Sequence, residues 1–218
     1  MNAIRSIFER IGRVALAHLT LACALPLTMT AQNLVKNPGF ENPATGVPPG
    51  TTVSYTSFCN AGKSAAAVWL VWVNTCGSDI STTLVPSTAL SGGNYMLHVV
   101  TTASENGIYT NFASHPETTS SVWVYVNSGC VGMGTGDGAE TSSTDEMTCV
   151  TGKWIHFYKV PNGVTPATEF IVYSIINPEF PTGTGGADFY VDNAQVVAPL
   201  AGAPLAEPKE TLAEPKEN

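Results

Sequence analysis

Short runs in which apolar and polar side chains alternate dominate the chain between residues 32 and 197. In the clearest run, three valines at alternate positions from 122 to 126 are interleaved with Trp123 and Tyr125. Alternation with a period of two places successive side chains on opposite faces of a β-strand. We predict strands in seven segments: 67–73, 95–101, 107–113, 121–126, 153–160, 169–176 and 187–197.

The predicted strands are separated by Gly, Asn, Ser and Pro, and helical periodicity is nearly absent. Seven or more short strands joined by turns are typical of an antiparallel sandwich or barrel. Because charged residues are scarce in these strands, we expect two sheets that pack face to face. The sequence therefore predicts an all-β fold, an antiparallel two-sheet β-sandwich. We interpret the glycine-rich segment 129–138 and the acidic segment 139–146 as a flexible stretch bracketed by Cys130 and Cys149.

The first 31 residues differ from this pattern. They carry three arginines, an apolar stretch at 14–27 and a small residue, Ala31, at the expected cleavage point, which is the layout of a secretory signal peptide. The apolar stretch is too short and interrupted for a membrane span. We therefore predict a secreted, extracellular protein, with the periplasm or the cell surface as alternatives. Lipidation of Cys23 is a further alternative, although Thr20 stands where a lipoprotein signal has leucine.

The last residues, 198–218, are rich in Pro, Ala, Glu and Lys. The hexapeptide Leu-Ala-Glu-Pro-Lys-Glu occurs at 205–210 and again at 212–217. Such a composition buries little apolar surface, so we interpret this segment as a disordered tail. The sequence thus predicts one domain over 32–197.

The charge of the chain limits its partners. The net charge is −8, and without residues 1–31 there remain 6 basic and 16 acidic residues. This balance argues against a nucleic acid or an anionic membrane surface as the ligand, because both require basic patches. It is compatible with a neutral partner and with bound cations.

Four cysteines lie between residues 32 and 197: Cys59, Cys76, Cys130 and Cys149. An even number in an exported chain favours two disulfides, for which three pairings exist. The sequential pairing closes two local loops of similar size, and each bridge would stabilise the fold by about 3 kcal/mol. A zinc site is disfavoured because the CxxC spacing and neighbouring histidines are missing.

Two motifs at the ends of the domain carry a family resemblance. The segment 33–41 reads Asn-Leu-Val-Lys-Asn-Pro-Gly-Phe-Glu, and 187–197 reads Ala-Asp-Phe-Tyr-Val-Asp-Asn-Ala-Gln-Val-Val. Together with 91–100, 106–112 and 151–154, they resemble carbohydrate-binding modules of the CenC type. The resemblance implies a galactose-binding-like jelly roll and a non-catalytic module that binds a polysaccharide or glycan. It is more specific for the fold than for the ligand.

The resemblance also implies a structural calcium ion where the first and last strands meet. Its ligands would be the carbonyls of Gly39 and Tyr95, the carboxylate of Glu41, and the carboxylate and carbonyl of Asp192. Calcium prefers six to eight such oxygens. Gly92 stands where the family often has an acidic residue. The alternative is that Glu41 and Asp192 accept hydrogen bonds in turns.

A sugar presents apolar CH faces and many hydroxyls, so its binding site needs flat aromatic rings beside polar groups. Trp123 and Tyr125 share one strand face, as do Tyr109 and Asn111, and we group these four as the strongest candidate face. Two further candidates, Trp69 and Trp72, are three residues apart, so on a regular strand at most one of them meets a ligand and the other packs inward. The alternatives are that individual aromatics lie in the core, or that cysteine-flanked loops form the site at the sandwich edge.

Catalytic motifs are missing from the sequence. Glycosidases need two carboxylates about 5–10 Å apart, and the acidic residues here are scattered. Gly-x-Ser-x-Gly, HExxH and phosphate-loop motifs do not occur. We therefore predict a binding module that acts alone or with a partner enzyme. The alternatives are a structural or adhesive domain that contacts a surface protein, and a small glycoside hydrolase or polysaccharide lyase.

Overall fold

The computed structural model describes residues 32–56, 61–88, 93–115, 118–136, 146–159, 166–176 and 185–198. The predicted signal peptide, Cys59, Gly92, the segment 139–145 and the tail from 199 onward lie outside these ranges. Within them the secondary structure is β-strand and turn, without helix. Accordingly, the described part of the chain contains no helix long and apolar enough to cross a membrane.

Twelve strands account for the regular structure of the described residues. They are β1 (Thr52–Thr56), β2 (Ala61–Lys63), β3 (Leu70–Val73), β4 (Asp79–Pro86), β5 (Tyr95–Thr101), β6 (Asn106–His115), β7 (Thr119–Ser128), β8 (Cys130–Gly136), β9 (Glu146–Thr148), β10 (Trp154–Lys159), β11 (Ala167–Ile175) and β12 (Asp188–Val197).

These strands form two antiparallel sheets of six strands each. The front sheet has the order β1-β4-β5-β12-β7-β10, and the back sheet has the order β2-β3-β6-β11-β8-β9. The prediction of an antiparallel two-sheet β-sandwich is therefore confirmed.

The core consists of the inward-facing side chains of both sheets. On β7, Val122, Val124 and Val126 are each 0% exposed, as the alternation in the sequence predicts. On β8, Val131 and Met133 are equally inaccessible. Burial of one face of each strand explains why the period of two is so regular along the chain.

The structure corrects the interpretation of 129–138 as part of a flexible stretch. Residues Cys130–Gly136 form β8, which pairs with β11 and with β9. Along β8 the inward positions are Val131, Met133 and Thr135, whereas the alternating positions after Cys130 are all glycines. The alternation of apolar and polar residues is not visible in the sequence of β8, because glycine has no side chain and is not a polar residue on the outer face.

The two ends of the domain lie side by side, as the family resemblance implies. The backbone N–H of Leu34 donates to the carbonyl of Val196 at 2.7 Å, and that of Ala194 donates to the carbonyl of Pro38 at 2.8 Å. Asn33 adds a bridge to Val197. Within 33–41, however, this isolated bridge is the only pairing, so the first segment follows β12 without forming a strand. Positive φ at Asn37 (53°) and Phe40 (57°) bends it away from extended geometry.

One disulfide within the described residues joins Cys130 at the start of β8 to Cys149 after β9. This confirms the pairing of Cys130 with Cys149. Cys76 is also disulfide-bonded, while Cys59 lies outside the described residues.

Trp69, one of the predicted ligand contacts, is a core residue and only 1% exposed. Its ring lies 4.9 Å from that of Phe40 and 6.3 Å from that of Phe170, measured between centroids. Its indole N–H donates to the carbonyl of Asn37 at 3.1 Å. The prediction that Trp69 meets a ligand is therefore wrong, because the ring fills the space between the two sheets.

Replacement of Trp69 by alanine removes this filling and should lower the free energy of unfolding by about 3–5 kcal/mol. Trp72→Ala is the matched control, since Trp72 is half-buried on β3, and we expect less than half of that loss. Chemical denaturation of both variants measures the difference. Equal losses would contradict the assignment of Trp69 to the core.

Candidate functional site

The outer face of the front sheet carries a row of aromatic side chains. Tyr190 on β12 lies opposite His98 on β5 and opposite Tyr125 on β7. Tyr125 in turn lies opposite Trp154 on β10. The residues that flank these positions within each strand, such as Val124 and Phe189, are buried in the core. The alternation of each strand therefore places all four rings on the outside.

The four rings form a continuous surface. The rings of His98 and Tyr190 stack with centroids 4.5 Å apart and an interplanar angle of 21°. Tyr190 and Tyr125 meet edge to face at 6.1 Å, and Tyr125 and Trp154 are 5.6 Å apart. Since neighbouring strands are about 4.8 Å apart, a row across four strands is about 14 Å long.

A second row lies beside the first, two residues before Tyr125 on β7 and two residues after Trp154 on β10. Trp123 and His156 are register partners, and their rings stack at 4.5 Å with an interplanar angle of 19°. Tyr158 lies two residues after His156 on β10, so it extends the aromatic surface along that strand, with its ring 6.3 Å from that of His156. We call the two rows together the aromatic face; it comprises His98, Trp123, Tyr125, Trp154, His156, Tyr158 and Tyr190.

A polar group borders the first row. The Oδ1 atom of Asp188 accepts a hydrogen bond from Nε2 of His98 at 2.8 Å and another from Nδ2 of Asn127 at 2.9 Å. The side chains of His98 and Asp188 are 26% and 34% exposed. Aromatic rings and reachable hydrogen-bonding groups therefore occur side by side at this place.

The stacking of His156 on Trp123 affects its protonation. Partial burial lowers the pKa of His156 from its ordinary value, because the charged imidazolium loses water on the side that meets the indole ring. The neutral imidazole of His156 is thus favoured in the folded protein.

The structure separates two pairs that the sequence grouped together. Trp123 and Tyr125 lie on the front sheet, whereas Tyr109 and Asn111 lie on β6 of the back sheet. Consecutive strands β6 and β7 belong to different sheets, and alternation within a strand does not reveal which sheet the strand joins. The prediction of one face bearing all four residues is therefore wrong.

Tyr109 and Trp72 are placed on the outer side of the back sheet. Leu70 pairs with Tyr109, and Trp72 pairs with Gly107, so these residues lie on neighbouring strands β3 and β6. Burial raises the pKa of Tyr109, and the nearby carboxylate of Glu169 raises it further. Tyr109 is therefore a protonated phenol at neutral pH. Because β6 belongs to the back sheet, Tyr109 lies on a different surface from the aromatic face.

Sequence reasoning did not assign Tyr190, His98 or Asp188 to the site. Tyr190 and Asp188 lie in the motif at 187–197. That motif indicates the fold and does not show which of its side chains lie on the outer face. The available signal was the alternation of Tyr190 with Phe189 and Val191, both 0% exposed.

Glu41 occupies the place where the resemblance implies calcium. Its Oε1 accepts backbone N–H groups of Asn94 at 2.8 Å and Tyr95 at 3.1 Å, and its Oε2 accepts the Asn94 side-chain amide at 2.9 Å. A side chain at Gly93 would overlap the Glu41 carboxylate, so glycine provides the space for this contact. Glu41 thus fastens the first segment of the domain to the start of β5.

Asp192 is fully buried on β12. Its Oδ2 accepts the hydroxyl of Ser87 at 2.9 Å, and its Oδ1 accepts the backbone N–H of Asn193 at 2.7 Å. The described residues contain no group of three His, Cys, Asp or Glu side chains suited to a metal ion. Carboxylate oxygens are suitable ligands for calcium. The N–H groups that point at Glu41, however, are suited to an anion and not to a cation. In this arrangement Glu41 and Asp192 act as hydrogen-bond acceptors that join parts of the domain. Calcium at Gly39, Glu41, Tyr95 and Asp192 stays a prediction.

No protein-family model and no curated protein matches the chain. Solved structures do match. TmCBM61 in complex with beta-1,4-galactotriose has a TM-score of 0.43 and 16% identity, covering 76% of this chain and 97% of its own. The CBM22-2 xylan-binding domain from Paenibacillus barcinonensis Xyn10C has a TM-score of 0.41 and 16% identity, covering 61% of this chain and 92% of its own.

A mutant of CBM29-2 complexed with cellohexaose has a TM-score of 0.40 and 11% identity, covering 67% of this chain and 92% of its own. These three proteins are carbohydrate-binding modules, the broad group that the sequence motifs resemble, and none of them carries the CenC name. Similarity of this degree assigns no function to this chain.

The lowered pKa of His156 predicts a pH dependence of stability. Because the unfolded chain binds the proton more tightly, the free energy of unfolding should fall as the pH drops through about 6.5 and below. His156→Gln should remove part of this loss. Denaturation curves of wild type and variant between neutral and mildly acidic pH measure it, and identical pH slopes would contradict the prediction.

Glu41→Ala leaves three N–H donors without their carboxylate and should lower the free energy of unfolding by about 1–3 kcal/mol. Glu146→Ala on β9 is the matched control, an exposed carboxylate for which we expect a change within about 0.5 kcal/mol. Denaturation with EDTA and with added calcium should give the same loss for Glu41→Ala. A loss confined to the calcium buffer would refute the hydrogen-bond explanation and support the bound ion.

Proposed function

We propose that this chain is a non-catalytic carbohydrate-binding module that holds a polysaccharide or glycan on the aromatic face of the front sheet. The observation that carries the proposal is the row His98, Tyr190, Tyr125 and Trp154, whose rings touch in sequence across four strands. The proposal includes secretion, which the predicted signal peptide and the disulfide between Cys130 and Cys149 support.

The chemistry of the face suits sugars better than other neutral ligands. The CH faces of a pyranose pack on aromatic rings, and its hydroxyls need hydrogen-bond partners at the edge of those rings. Here Asp188 and Asn127 stand directly beside the Tyr190 row. A purely apolar ligand would displace water from the exposed part of the Asp188 carboxylate without replacing its hydrogen bonds.

The aromatic rings are fixed before a ligand arrives. Tyr125 contacts Trp154 on one side and Tyr190 on the other, and Trp123 stacks on His156. Side chains that are already ordered lose little conformational entropy on binding, so more of the contact energy becomes affinity. The row is longer than a single sugar ring, which favours several units of a chain as the ligand.

The same face supports binding rather than hydrolysis. Hydrolysis of a glycoside requires two carboxylates that both reach the scissile bond. Next to the two rows, the described residues provide Asp188, which is partly exposed, and Asp192, which is fully buried and hydrogen-bonded. Among the residues that the structure describes, a single reachable carboxylate beside the two rows supports the non-catalytic function.

Trp123→Ala and Tyr125→Ala should each weaken retention on the polysaccharide that binds wild type by about tenfold, since a stacked aromatic contact contributes about 1–2 kcal/mol. Trp72→Ala and Tyr109→Ala are the matched controls, because these rings lie on the outer side of the other sheet. Depletion assays on insoluble glycans, followed by titration with soluble galactan, mannan, xylan and cello-oligosaccharides, measure the effect.

Three results would count against the proposal. Wild type that binds none of these glycans would favour the structural or adhesive domain, particularly if it retained a protein that sugars do not displace. Equal losses for front-sheet and back-sheet variants would remove the aromatic face as the site. Turnover of a polysaccharide would identify a hydrolase or lyase instead.

A further inference from the structure

We propose that Asp188, held in place by His98 and Asn127, recognises sugar hydroxyls and makes the aromatic face selective for neutral over carboxylated glycans. This inference rests on the proposed function and specifies its ligand class. The three side chains come from three neighbouring strands: Asp188 from β12, His98 from β5 and Asn127 from β7.

One oxygen of the carboxylate is fixed, and the other is available. Oδ1 accepts both hydrogen bonds, from His98 at 2.8 Å and from Asn127 at 2.9 Å. Oδ2 receives no hydrogen bond from any described residue, and the side chain is 34% exposed. The carboxylate cannot rotate without breaking two bonds, so Oδ2 is a preorganised acceptor.

The position of this acceptor suits a sugar that lies on the rings. Asp188 precedes Tyr190 by two residues on β12, so both side chains are on the same face of the strand. Its partner His98 stacks directly on Tyr190 at 4.5 Å. A ring packed on the first row would therefore bring hydroxyls at its edge to Asp188. Hydrogen bonds to an ionised acceptor are about tenfold more favourable than those to a neutral one.

The charge of the surrounding surface makes the same carboxylate exclude anions. Among the strand residues of the front sheet that the structure describes, Lys159 is the single Lys or Arg. Lys159 follows His156 and Tyr158 on the opposite side of β10, and its ammonium reaches Thr135 of the back sheet. Outside the strands, the exposed Lys153 directly precedes Trp154 of β10, two strands away from Asp188 on β12. No strand cation of this sheet offsets Asp188, and a uronate carboxylate beside it would meet a like charge.

The experiment compares neutral glycans with their oxidised forms. Galactan, mannan and cello-oligosaccharides are titrated against the full chain before and after oxidation of the C6 hydroxyl to a carboxylate. We expect wild type to bind the retained neutral glycan at least tenfold more tightly than its oxidised form. Asp188→Asn should weaken neutral binding about tenfold and reduce the preference to about threefold or less.

Two further variants keep the test decisive if Asp188→Asn does not fold. Asn127→Ala releases one of the two bonds to Oδ1 without changing the charge, so it should weaken neutral binding but retain the discrimination. Asp79→Asn is the matched control; Asp79 is also exposed in the front sheet, at the start of β4, and its carboxylate contacts Thr56. We expect no change in binding or preference for Asp79→Asn.

The outcomes separate this inference from the proposed function. Loss of binding in Trp123→Ala together with unchanged binding and preference in Asp188→Asn would overturn the role of Asp188 and leave the aromatic face intact. Equal affinity of wild type for neutral and oxidised glycans would also overturn it. Absence of glycan binding by wild type would refute the inference and the proposed function together.

Discussion

Burial of one face of every strand between two sheets is the constraint from which the rest of the structure follows. On β7 the valines at 122, 124 and 126 are completely inaccessible, so Trp123 and Tyr125 have no place but the outside. The same argument applies to Tyr190 between Phe189 and Val191 on β12. Packing of the apolar side chains in the core thus determines which side chains of each strand lie on the outer face.

The antiparallel register then assembles the outer face from separate parts of the sequence. Tyr190, near the end of the domain, is placed between His98 and Tyr125, which come from its middle. Cross-strand neighbours are close enough for their rings to touch, so the register of β5, β12, β7 and β10 creates the row. Asp188, His98 and Asn127 meet for the same reason. A site of this kind is as rigid as the sheet that carries it.

The junction of the chain ends depends on hydrogen bonds rather than on a strand pair. Glu41 binds the start of β5, Asp192 binds Ser87 after β4, and the Ser87 backbone N–H donates to the carbonyl of Asn94. Both carboxylates therefore act at one end of the front sheet, Asp192 just after β4 and Glu41 at the start of β5. The family motifs identified these residues, and the structure gives them a physical role within the sandwich.

The sequence by itself determined the all-β class, the span of β5 at Tyr95–Thr101 and the inward valines of β7, because burial of alternate residues leaves a period of two in the chain. It did not reveal β8, because the glycines on the outer face of that strand remove the alternation of apolar and polar residues. It also did not reveal the burial of Trp69, because this residue lies just outside a strand and contacts Phe40 and Phe170. Only the tertiary structure decided that Trp123 and Tyr109 lie on different sheets and that Tyr190 joins Tyr125. Alternation assigns a side chain to a face of its own strand, but which strands become neighbours depends on hydrogen-bond register between residues far apart in sequence.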